Sequence, residues 1–283
     1  MAAPPKLMFD AVGLATRFVR EQWRFVLTVS GIAAVAIAAL SALSEVAPVA
    51  SLLSSVGAGF LQSALYAVFI GAALLGVGVA RRRWVSDGLR VWAAMIVVGF
   101  FLVIVFFALS LPVSMVLFAG PLARYTTELQ GAAGNTEQVM AIFTRFASEN
   151  PGPVLIAALI FFVVWMLLTS RLYLAAPATV ERQRIQTFET WSWTRGLTLR
   201  ILGARLLLLA PAYVLTFALG HLIGSALGLN TLDMAAVANA AESNSAGFIA
   251  YVLLSGFIAF ALYSSLEAAL SAYLYRALRP PGP

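Results

Sequence analysis

Four ionisable residues, Arg171, Arg205, His221 and Glu267, stand inside long apolar stretches of this 283-residue chain. A charge held in hydrocarbon is costly without a partner, so each marks either a structural tie or a substrate or proton path. Glu267 lies toward the inner end of the last stretch, and Arg171 and Arg205 lie at comparable depth on the fourth and fifth. Pairing Glu267 with one of these arginines gives a structural link. The sharper reading makes Glu267 a proton- or substrate-coupling group in an inward-facing cavity. His221, in the outer half of the fifth stretch, reads as a hydrogen-bonded packing residue. Ser255-Gly256 sits at a similar depth, but the G-x-S-G context and an oxyanion hole are missing. The chain has no cysteine and one histidine, which removes thiol nucleophiles and most zinc sites. It carries no H-E-x-x-H, no P-loop and no dinucleotide-binding glycine motif. No catalytic residue, metal site or cofactor is expected, and the chain reads as non-enzymatic.

The elements that must position these residues follow from hydropathy. Apolar residues make up 61% of the chain and charged residues 11%, with a mean hydropathy of +0.93. A soluble domain carries about a quarter of its residues charged. Six stretches, 25–43, 60–80, 91–118, 154–176, 201–229 and 248–273, match the ~20 residues needed to cross a ~30 Å hydrocarbon core. They are continuous rather than alternating, which argues against barrel strands. The predicted fold is all-α, a polytopic membrane protein with six transmembrane helices in a single integral domain. Pro112 and Pro211 inside the third and fifth stretches predict a kink or break. The first stretch has the basic flank of a signal peptide but is too long for one, and reads as a retained helix. All basic residues except Arg124 and Arg145 gather in 1–24, 81–90, 171–205 and the tail, which predicts cytoplasmic termini. The preference for Arg, with Lys6 the single lysine, and the many Ala and Gly residues fit a GC-rich bacterial genome, hence an inner membrane.

Between the spans, 1–24 reads as an amphipathic interfacial helix. Asp10, Gly13, Arg17, Arg20, Glu21 and Arg24 form one face, and Met8, Val12, Ala15, Phe18 and Val19 the other. Arg81–Arg90, with Trp84 and Trp92 nearby, is a shorter version. Segment 177–200 reads as another cytoplasmic amphipathic helix, with Trp191, Trp193 and Arg195 as interfacial anchors. A basic segment feeding a hairpin thus occurs three times and suggests a threefold hairpin repeat. The extracytoplasmic loop 119–153 is expected to hold one or two short helices with Val139, Ile142, Phe143 and Phe146 on one face, stopped by Asn150-Pro151-Gly152-Pro153, as a lid on the outer leaflet. In the fifth stretch Ala212, Thr216, Gly220, Gly224 and Gly228 recur every four residues, the signature of close helix packing against this chain or a second copy. The basic charge faces membrane lipids of the anionic inner leaflet rather than nucleic acid.

One segment resembles a known pattern. Ala176-Pro177-Ala178-Thr179-Val180-Glu181 is followed by Thr187–Gly196, containing Trp191-Ser192-Trp193-Thr194-Arg195-Gly196, and by Leu199-Arg200-Ile201-Leu202-Gly203. This order, a span end, a proline, a short amphipathic helix and R-I-L-G opening the next span, is similar to the membrane domain of some glycerophosphodiester phosphodiesterases and to YciC-like six-helix proteins. The resemblance implies a bilayer-embedded unit lacking the soluble phosphodiesterase domain, with Trp191, Trp193 and Arg195 docked on the inner leaflet. The expected function is that of a scaffold or accessory protein, lipid- or envelope-associated, with a protein partner or a second copy. The alternative is a small-molecule or ion transporter or channel with an inward-facing site near Glu267.

Overall fold

In a solvent without hydrogen-bonding partners the backbone must satisfy itself locally, so continuous apolar runs become helices. The computed structural model describes residues 7–46, 50–233, 236–237, 240 and 243–280, with Lys6 outside them. Every regular element among the described residues is helical. Six helices are long and apolar enough to cross a membrane, so the chain is an all-α polytopic membrane protein. It forms two units, Met1–Val97 with Ser170–Pro283, and Val98–Thr169.

The first unit opens with α1 (Leu7–Glu21), which buries Ala11, Ala15 and Phe18 and exposes Asp10, Arg17 and Arg20. The apolar back expected at the headgroup boundary is instead covered by protein: α1 packs on the last and fifth spans. α2 (Trp23–Val46) and α3 (Ala50–Leu75) form the first hairpin. At Gly76 (φ 91°) the chain reverses in a single residue, a left-handed conformation that suits glycine, and α4 (Val77–Ala119) begins at once. The expected short surface helix at Arg81–Arg90 is therefore the first part of the third span's own helix. At 43 residues that helix is about 64 Å long, roughly twice the hydrocarbon core, so its basic turns extend beyond the apolar part.

The fifth span is α10 (Thr198–Ala226). The sixth is α11 (Ser245–Ile258), a π-helical turn Ala259–Ser264, and α12 (Ser265–Leu278). α4 and α10 continue through Pro112 and Pro211 without a break; a proline removes one hydrogen bond, and the flanking bonds are kept because lipid offers no substitute. The irregularity falls in the sixth span instead, where no proline announces it. A core of Phe25, Phe69, Ile70, Leu174, Ile201, Leu270 and their neighbours joins α1, α2, α3, α10 and α12.

Segment 177–200 is not one surface helix. α8 (Ala175–Arg182) has its Ala175–Val180 stretch entirely buried and packs on α3 and α12, because its small side chains allow close approach. Gln183 (φ 56°) ends it, and α9 (Glu189–Trp193) follows as a separate turn. The buried Thr179 hydroxyl closes the loop between them, accepting from Gln186 N at 3.0 Å and donating to Gln186 O at 3.2 Å.

The second unit contains the rest of α4, a 3₁₀ turn Pro121–Tyr125, α5 (Thr126–Gly131), α6 (Thr136–Glu149) and most of α7 (Pro151–Arg171). The loop helices appear where the sequence indicates. Asn135 caps α6 by accepting from Gln138 N, and Pro151 opens α7 at a position where no backbone donor is needed. Ile142 and Phe146 are buried with Leu122, Tyr125 and Ala132 in a small separate core, while Phe143 is exposed. Tyr125 Oη donates to the Glu149 carboxylate, which holds the phenol above its ordinary pKa.

Candidate functional site

The polar side chains that converge inside the first unit come from five stretches of chain. Arg205, on the buried face of α10 with Ile201 and Ala204, is 7% exposed. Its Nη1 donates to Ser170 Oγ at 2.9 Å, and its guanidinium lies over the Tyr173 ring at 4.7 Å. Tyr173 Oη donates to the Glu267 backbone oxygen at 3.1 Å. Tyr66 Oη, from α3, donates to Ser271 Oγ at 3.3 Å. Tyr263, in the π turn, meets the Tyr213 ring edge-on at 6.2 Å.

The Glu267 carboxyl group belongs to none of the direct ion pairs among the described residues; its link to the cluster is the backbone oxygen that accepts from Tyr173. The arrangement is a hydrogen-bonded cross-link joining α3, α10, α12 and the end of α7 with its connection to α8. The π turn Ala259–Ser264 ends three residues before Glu267; such wide turns recur at functional sites.

The other predicted residues lie elsewhere. Arg171 places its guanidinium over the Trp191 ring at 4.7 Å, so of the two arginines Arg205 is the one that stands with Tyr173 and Ser170 in the cluster. His221 is 16 residues beyond Arg205 on the same helix, about 24 Å along its axis, and its Nδ1 is 2.8 Å from Thr231 Oγ1. It does not join the cluster. Gly224 is closely packed: a Cβ there would collide with the Thr231 methyl group and lie 3.4 Å from the Tyr251 ring. Gly220 is buried yet a Cβ there would meet nothing within 4 Å. Gly228 corrects the packing stripe. It lies past the end of α10 at φ 75°, where Leu229 N donates back to Gly224 O at 2.8 Å, so it terminates the helix rather than packing it. Trp193 is covered by Arg182 at 4.6 Å and lies 6.2 Å from the Tyr275 ring. Arg195 is exposed.

Sequence reasoning missed the tyrosines, since a phenol in an apolar run counts as hydrophobic, and missed two clusters at the Arg-rich end. Asp87, 3% exposed, accepts from Arg90 Nη1 at 3.1 Å and faces Arg83 Nε at 3.5 Å. Glu181 accepts from Tyr275 Oη at 2.6 Å and pairs with Arg279. Several basic and hydroxyl side chains satisfy helix-end carbonyls that lack intrahelical donors: Arg276 donates to Leu74 O at 2.9 Å, and Thr194 to Arg171 O at 3.0 Å. The i,i+3 and i,i+4 spacing of Arg83, Asp87 and Arg90 is a signal that could have revealed the first cluster.

Among the described residues no three His, Asp or Glu side chains gather as a metal site. Fold and site together define a polytopic helical membrane protein with a polar cross-link in its core. Comparison with protein-family models, curated proteins and solved structures finds no match.

Proposed function

We propose that this chain is a non-enzymatic scaffold or accessory protein of the bacterial inner membrane, with both termini cytoplasmic, associated with lipid or envelope maintenance. The observation that carries this reading is the use made of the polar groups inside the bundle. Arg205, Tyr173 and Tyr66 direct their donors to Ser170, Glu267 O and Ser271 on neighbouring segments, tying helices together. The likeness of residues 170–210 to YciC-like proteins and to phosphodiesterase-associated membrane domains points the same way. The concentration of arginine at one end of the spans supports the orientation.

A transporter with a site near Glu267 is the second reading, and the π turn that ends three residues before that residue favours it. Tyr173→Phe, which removes the bond to the Glu267 backbone oxygen, and Glu267→Gln, which keeps it, decide between them in proteoliposomes. A scaffold tie predicts a melting temperature lower by about 2–4 °C for each kcal/mol of tie lost in Tyr173→Phe, with ion and metabolite flux at the level of empty vesicles in the wild type and both variants. Flux present in the wild type and abolished in a variant of unchanged melting temperature would establish the transporter.

A further inference from the structure

The bundle carries a groove that the polar cross-link does not explain. It lies between α2 and α3 and has a volume of about 600 Å³. Its depth comes from small side chains, Ala33 and Ala36 on α2 and Ala64 on α3. Thr28, Arg81 and Trp84 stand at its Arg-rich end. From Thr28 to Ala36 is eight residues, about 12 Å of helix axis, which is most of the ~15 Å thickness of one leaflet's hydrocarbon.

Two close approaches put the cation and the indole there. A Cβ on Gly88 would meet Ala64 Cβ at 2.8 Å, and one on Gly71 would meet Ala80 Cβ at 3.3 Å. The first turns of α4 therefore lie almost backbone to backbone against α3. Arg81 and Trp84, one turn apart, project from that seam over the groove. The Arg81 guanidinium also rests over the Phe25 ring at 5.6 Å, which restricts its rotamers. None of the lining residues is acidic, and the nearby Asp87 carboxylate is engaged by Arg83 and Arg90.

We propose that this groove binds one acyl chain of an anionic phospholipid, with the lipid phosphate on the Arg81 guanidinium and the Trp84 indole at the level of the headgroup. An apolar trough ending in an aromatic belt residue and a guanidinium has the order of polarities of a lipid, tail to phosphate. A helix, about 10 Å across before its neighbours are counted, would seat only partly in a trough made by three alanines. The assignment deepens the lipid-associated part of the proposed function and rests on it.

Native mass spectrometry of the full chain, released from nanodiscs holding equal phosphatidylglycerol and phosphatidylcholine of identical chains, tests it. One phosphatidylglycerol is expected to stay bound with about fivefold preference. Arg81→Gln should abolish the preference, Arg82→Gln should keep it, and Ala36→Phe, which fills the trough, should remove the lipid of either class. Equal retention of the two lipids by the wild type, or an equal loss with Arg82→Gln, would overturn the site in favour of general surface charge. A dimer or a bound protein lost on Ala36→Phe, without loss of lipid, would give the groove to a second copy or a partner and overturn it as well. Thermal melting of each variant separates loss of lipid from loss of fold. The Tyr173→Phe and Glu267→Gln measurements stand apart from all these outcomes, so failure of the groove and failure of the scaffold reading are distinguished.

Discussion

Gly220 and Gly224 stand one turn apart on α10, yet they answer to different demands. A methyl group at Gly224 has to displace Thr231 and press on Tyr251, whereas one at Gly220 meets open space. Gly224→Ala should therefore cost about 1–3 kcal/mol, the usual penalty of overpacking. Gly220→Ala should be neutral or stabilising by up to about 1 kcal/mol through its helix propensity. Thermal unfolding of both variants in the same detergent checks the contrast, and equal effects would mean that the stripe acts as one surface. The four-residue spacing is legible in the sequence. Which glycine is pressed, which has room and which ends the helix is not, because that depends on Thr231 folding back across the helix end. Glu267 and Arg205 stand out in the sequence because ionisable groups are rare in apolar runs. Tyr66, Tyr173 and Tyr263 do not, since hydropathy cannot separate a phenol that needs an acceptor from one that merely packs.

At the scale of elements, the connection between the fourth and fifth spans departs furthest from expectation. Its charges and tryptophans describe a surface helix, but the Ala-Pro-Ala-Thr stretch in front of them is core. The loop that links α8 to α9 hangs on a single buried hydroxyl serving both the N–H and the C=O of Gln186. Thr179→Val keeps the shape and removes both bonds, leaving a buried N–H unsatisfied, a loss of about 1–3 kcal/mol. Hydrogen exchange should speed up over residues 183–188 while α10 and α12 keep their protection. Unchanged exchange there would show that the Arg182–Trp193 and Glu181–Tyr275 contacts hold the loop by themselves.

For the whole molecule, the orientation proposed from the arginine distribution can be read directly, because the chain has no native cysteine. Ser148 in α6 and Ser192 in α9 are both exposed and stand on opposite sides of the bilayer in the proposed topology. With a membrane-impermeant maleimide on intact spheroplasts, Ser148→Cys should label at once and Ser192→Cys only after permeabilisation. The reverse pattern would invert the topology and place the Arg81 groove in the outer leaflet.

What the sequence alone determined is the class of the protein and the number of its spans. Bilayer thickness and the need for internal hydrogen bonding act on windows of about 20 residues, and composition within such a window is sufficient to satisfy them. The continuity of α4 from its basic turns into its apolar run, the π turn before Glu267 and the meeting of Arg205 with Tyr173 were decided only by tertiary structure. Tyr66 and Ser271 are 205 residues apart, and Glu181 and Tyr275 are 94 apart. Such contacts exist because close packing of small side chains brings distant helices together, and no local pattern of hydropathy carries that information.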